Sequence, residues 1–194
     1  MSRIEQREQR RREILLSGLD LFIRKGYTAT KIQDIADAVG MSVGLLFHYF
    51  ESKEKLYEEL VKSGISAPKS MLAGIAGEPI LFFETVAWQI FRFFETDLFV
   101  AKMFVLMNQA KYNAAAPESV KKLIGDMDYL KISTEKIKQG QQNGTIKDGN
   151  PVALAIAFWG AISGIAEEVA LGDGSPIPES DWVVDILRRK KSND

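Results

Sequence analysis

The chain has 194 residues, 46% of them hydrophobic, with 26 acidic and 25 basic side chains and a formal net charge of −1. This is the composition of a globular protein rather than a disordered one, and without a global positive field any affinity for nucleic acid has to come from local charge. The absence of cysteine excludes disulfides, thiolate metal sites and a cysteine nucleophile, while the charged N-terminus lacks the apolar core of a signal peptide.

In chain order, Arg3, Arg7, Arg10, Arg11 and Arg12 outnumber Glu5 and Glu8 before the first apolar helix. Such a run is either a solvated helical lead-in or, beside a DNA-binding element, a basic arm near phosphates. Residues 14–25 carry Leu15, Leu19 and Phe22 on one side, and Gly26 supplies a stop. Residues 30–53 then read as two short helices with a tight turn between them. Thr30 and Gln33 have the spacing of a capping box, Ile32, Ile35, Ala36 and Val39 form one apolar face, and Gly40 can end the helix in a left-handed conformation. Ser42 offers a second N-cap oxygen, after which Leu46 and Phe50 are spaced to face inward. Two helices so close must cross steeply, as in a helix-turn-helix.

Ser52 caps a fourth helix with Leu56, Leu60 and Val61 as its stripe, and residues 63–79 read as its end and a linker. Residues 80–112 hold seven of the 11 Phe together with Trp88, Met103 and Met107, apolar on nearly all sides, with a break expected near Asp97. Residues 121–143 form a long amphipathic helix closed by Asn143 and Gly144. Asn150 and Pro151 give the next helix a cap and a proline at its first position. Its apolar stretch, residues 151–166, falls short of the roughly 20 residues a membrane span needs. A last helix is expected over residues 181–191, with Ser180 as cap, Trp182, Val183, Ile186 and Leu187 as its apolar side, and a basic end from Arg188.

The run Thr30, Ile35, Ala36, Ala38, Val39, Gly40, Ser42, Gly44, Leu46, Phe47, Tyr49, Phe50, Ser52, Lys53 and Leu56 resembles the N-terminal signature of TetR-type transcriptional repressors. The resemblance implies an all-α fold of about nine helices. A three-helix helix-turn-helix domain with its basic arm would span 1–53, a connecting helix and linker 54–78, and a helical-bundle effector-binding and dimerisation domain 79–194. A recognition helix enters the major groove with its N-terminal residues against base edges. By resemblance Val43, Gly44, Leu45, Phe47 and His48 face bases, with Gln33 approaching from the preceding helix and Ser42 at the helix start. Gln can read adenine, and apolar side chains can sense a thymine methyl. Tyr49, Thr30 and Lys53 would hold phosphates, fixing register without reading sequence. Leu45 stands where the family often has a small polar residue and Phe47 where it often has tyrosine.

No catalytic constellation accompanies this. His48 is the single histidine, there is no nucleophile-elbow or phosphate-binding glycine motif, and Asp126 and Asp128 form no recognised metal loop. No cofactor, metal or membrane partner is expected, and the default compartment is the cytoplasm. For the aromatic middle, core packing stands beside an effector cavity lined by Trp88, Phe91, Met103, Met107, Asn108, Tyr112 and Trp159, with Glu84, Glu95 or Glu167 available to select a cation. Small residues let the helix containing Ala155, Gly160, Ala161, Ser163 and Gly164 approach another closely. With Ile156, Trp159, Ile162, Trp182 and Ile186 they suggest a homodimer interface, as a palindromic operator requires. The expected partners are operator DNA, a largely apolar small molecule and a second copy of the chain. The alternatives are an all-helical carrier or enzyme without DNA binding, or a ligand-independent regulator or activator.

Overall fold

The computed structural model describes residues 2–73, 75, 77–125 and 129–189, with the backbone alone for 67–73. Among the described residues there are ten helices and no strand: α1 (Arg3–Lys25), α2 (Ile32–Ala38), α3 (Val43–Phe47), α4 (Lys53–Ala73), α5 (Pro79–Thr96), α6 (Leu98–Tyr112), α7 (Glu118–Gly125), α8 (Tyr129–Gln142), α9 (Pro151–Leu171) and α10 (Ser180–Val184). The all-α expectation holds. The helix expected over 121–143 is described as α7 and α8, and Asp126 and Asp128 lie outside the described residues.

Two compact units form. The first comprises residues 1–66 and 102–126, the second 67–101 and 127–194. In the first, α1 starts earlier than its apolar pattern, because Ser2 and Glu5 make a reciprocal capping box. The arginine-rich lead-in is therefore helix, and Gly26, at φ 81°, ends it in a region that favours glycine. Ile14, Leu19 and Phe22 from α1 pack into one core with Ile35, Leu46, Phe50, Leu56, Tyr57 and Leu60. The Phe22 and Tyr57 rings meet edge to face at 4.9 Å, a favourable aromatic geometry. Residues 102–112 of α6 belong to this unit. Lys102 pairs with Asp20 at 2.5 Å, and the Gln109 amide donates to the Ile23 carbonyl, one of the last four of α1 and hence without a helical partner.

In the second unit, α5, α8, α9 and α10 enclose Phe83, Val86, Ile137, Phe158, Ile162 and Val184. Asn150 caps α9 by accepting from the Val152 and Ala153 amides, with Pro151 at the first position as expected. The helix then runs 21 residues, longer than expected, and its length and composition match those of a membrane span. Its buried positions, Ala155, Phe158, Ile162, Ala166 and Ala170, recur at helical spacing, so one stripe faces the core. Val152, Ile156, Gly160 and Gly164 remain exposed on α9.

The final helix is shorter than expected. It stops at Val184, and Ile186 and Leu187 continue in turns, because Arg188 is drawn away into an antiparallel bridge with Ile146 and into ion pairs with Glu84, Asp181 and Asp185.

Candidate nucleic-acid interface

The helix-turn-helix is built on local hydrogen bonding. Ser42 caps α3 by accepting the Leu45 amide at 3.2 Å, and Gly40, at φ 62°, makes the turn, both as the spacing predicts. Leu46 and Phe50 are buried, anchoring α3 to the unit's core. On the other side of α3, Gly44, Leu45, Phe47 and His48 are exposed, while Val43 and Tyr49 are half-buried. Leu45 and Phe47 each leave 46% of their surface open, so two large apolar groups stand exposed on this short helix.

Two assignments change. Thr30 does not cap α2: its side chain is wholly buried, and the hydroxyl reaches the Gly26 carbonyl at 2.8 Å and the Leu21 carbonyl at 3.2 Å. The cap residue is Lys31, whose amide donates to the Asp34 carboxylate at 3.1 Å, and that bond holds the carboxylate below its usual pKa. A buried Thr30 is also withdrawn from any phosphate. Lys53 likewise turns inward, its ammonium donating to the Tyr27 and Thr30 carbonyls at 2.8 Å each. Gln33 is exposed on α2, with its amide on Asp37 at 2.6 Å.

The basic arm divides in the same way. Arg3, Arg7 and Arg12 are exposed, whereas Arg10 donates to the Val39 carbonyl at 2.9 Å and Arg11 makes a two-pronged pair with Glu59 of α4. The Arg11 guanidinium also lies 4.5 Å from the centroid of the Phe50 ring. Its hydrogen bonds to Glu59 raise its pKa further. Only a structural tie between α1 and α4 explains this pair, and sequence spacing carries no signal for it.

The residues expected to line an effector cavity are distributed over both units. In the first, Met103 is buried, Met107 half-buried, and Asn108 and Tyr112 are exposed, with 74% of Tyr112 open. In the second, Phe91 is buried against Phe94, and Trp159 donates to the Ser133 hydroxyl at 2.9 Å, but Trp88 is 57% exposed beside Trp182, Glu84 and Arg188 in an open surface groove. Trp88 and Tyr112 are thus surface residues in their units rather than core lining. Glu84 is paired with Arg188, and Glu95 with Arg92. Of the expected interface residues, Ile156, Gly160 and Trp182 are exposed and Trp159, Ser163 and Ile186 half-buried. Ile162 is wholly buried in its own chain, because it falls on the core stripe of α9.

Residues 14–60 match the family model described as bacterial regulatory proteins, tetR family. The HTH-type transcriptional repressor KstR2 of Rhodococcus jostii is 43% identical over 53 residues, 27% of this chain and 26% of that protein. The chain therefore aligns with about a quarter of the length of that relative. A longer match, 28% identical over 168 residues and 84% of each chain, is to the HTH-type transcriptional regulator YvkB of Bacillus subtilis. Among solved structures, KstR2 of Mycobacterium tuberculosis superposes with a TM-score of 0.72 at 18% identity, covering 93% of this chain and 96% of that one. AibR, solved in complex with isovaleryl coenzyme A and operator DNA, gives 0.68 at 19% identity, covering 91% and 94%. Residues 14–60 thus carry the signature of the tetR family of bacterial regulatory proteins, and the fold over nearly the whole length is that of the solved regulators KstR2 and AibR.

Proposed function

We propose that this protein is a DNA-binding transcriptional repressor that binds a palindromic operator as a homodimer in the cytoplasm and is released by a small, largely apolar molecule. The observation that carries the reading is α3. A five-residue helix, capped by Ser42 and anchored by Leu46, holds Leu45, Phe47 and His48 toward solvent. Phe47 and Leu45 suit thymine methyls, His48 can hydrogen-bond a base edge or phosphate, and Gln33 approaches from α2. The reader set is Gln33, Ser42, Val43, Gly44, Leu45, Phe47 and His48, with Tyr49 toward phosphate. No residue is assigned a catalytic role.

The dimer reading rests on α9. An apolar helix with only one stripe buried leaves Ile156 and the small residues Gly160 and Gly164 uncovered, a surface that a second copy of the same helix can meet closely. Trp182 and Ile186 would extend the contact. Operator reading is assigned to residues 1–53, connection to 54–78, and effector binding and dimerisation to 79–194. An effector shifts operator affinity only by its differential affinity for the two arrangements of the protein. That AibR was solved with both an acyl-coenzyme A and operator DNA supports a ligand-responsive reading on this fold.

Selection of bound duplexes from a random-sequence pool by the full-length protein tests the proposal. The expected product is a palindrome whose half-sites lie one helical turn, about 34 Å, or a multiple of it apart. Recovery of no enriched sequence would overturn it.

A further inference from the structure

Two half-buried cations of the reading head donate to main-chain carbonyls. Lys53 Nζ donates to the carbonyls of Tyr27 and Thr30, 2.8 Å from each, and sits 4.3 Å from the centroid of the Tyr27 ring. Arg10 Nη2 donates to the Val39 carbonyl at 2.9 Å, while Nη1 is held by Glu13 at 2.5 Å. These carbonyls bracket α2. Tyr27 and Thr30 lie in the loop that enters it, and Val39 is its C-cap.

We propose that Lys53 and Arg10 are positioning residues that hold the two ends of α2 by its flanking carbonyls, and that neither is a phosphate clamp. An ammonium has three donors, and here two are taken by carbonyls while the Tyr27 ring lies against the charge. Burial among these groups pushes the Lys53 ammonium below its usual pKa, with Glu54 opposing the shift. Thr30 is fixed from both sides, its hydroxyl on the Gly26 carbonyl and its own carbonyl on Lys53. At the other end, Val39 is half-buried at the C-cap of α2, where the turn into α3 starts, and its carbonyl is held by Arg10.

The inference rests on the DNA-binding reading, and its test separates the two. Full-length wild type, Lys53→Gln, Lys53→Arg and Arg10→Gln are compared in affinity for a selected duplex between 50 and 200 mM salt, and in thermal unfolding without DNA. Loss of one phosphate contact from each protomer of the dimer makes the slope of log affinity against log salt shallower by about 1.8. Positioning residues instead predict a lower unfolding temperature without DNA, together with several-fold weaker binding at the wild-type slope. A slope shallower by about 1.8, or an unchanged unfolding temperature, overturns the proposal. Should Lys53→Gln not fold, Lys53→Arg decides. It keeps the charge but places a planar fork where a compact ammonium fits, so weaker binding at unchanged slope supports positioning, and wild-type binding and stability refute it. If the wild type binds no duplex at all, the DNA reading fails on its own, while the unfolding arm still reports whether these cations hold α2.

Discussion

Gly160→Leu probes the proposed dimer face with two effects of opposite sign. Gly160 lies within α9 and is exposed, and a Cβ added there meets nothing within 4 Å in its own chain. Within one chain the substitution therefore carries only the helix-propensity gain, about 0.8 kcal/mol for leaving glycine. In a two-fold dimer both copies insert a side chain where the helices meet. Overpacking costs about 1–3 kcal/mol per site, so the dimer loses about 2–6 kcal/mol, a dissociation constant roughly 30-fold to 20,000-fold higher. Sedimentation velocity over a concentration series reads the second effect, and urea unfolding at concentrations where the variant is monomeric reads the first. The expected variant is a slightly more stable monomer with weakened operator binding. A variant that dimerises with wild-type affinity refutes close packing of α9 at Gly160.

Gly140→Ala tests an intrachain approach instead. Its Cβ would lie 2.5 Å from Cγ1 and Cδ1 of the buried Ile146, far inside contact distance, so overpacking of about 1–3 kcal/mol exceeds a helix gain of at most about 1 kcal/mol. Chemical denaturation is expected to show a net loss of about 1 kcal/mol. Thr30→Val removes a buried hydroxyl hydrogen bond and is expected to cost about 1 kcal/mol in unfolding, leaving the salt slope of DNA binding unchanged. The Glu58 carboxylate is held by Lys62 and Lys55 and lowered from 4.5 to about 2. Its contribution is complete above pH 4.5 and is lost as pH falls from there toward 2, so Glu58→Gln is expected to flatten the acid limb of the stability profile over that window.

The helix-turn-helix was legible because its signals are local. A serine N-cap, a glycine turn and inward spacing of Leu46 and Phe50 act over a few residues, and the structure places Ser42 and Gly40 in those roles. Asn150 and Pro151 were legible for the same reason. Thr30 was not, because its hydroxyl chooses between an amide ahead of it in α2 and the carbonyls of Gly26 and Leu21 behind it, and the latter prevail. Lys53 and Arg10 depend on partners 26, 23 and 29 residues away, a separation at which no sequence period operates. Ile162 was misplaced because periodicity defines a stripe on α9 without saying whether it meets its own core or a partner. The last helix was overextended because the pull of Glu84 on Arg188 spans 104 residues.

The most direct test of DNA binding through this interface is the salt dependence of wild-type affinity for a selected duplex. A dimer that makes about 6–10 phosphate contacts loses roughly 1,000-fold to 100,000-fold in affinity between 50 and 200 mM salt. That steep decline is the expected result. Affinity that stays flat across the range, or no duplex binding at low salt, contradicts the assignment.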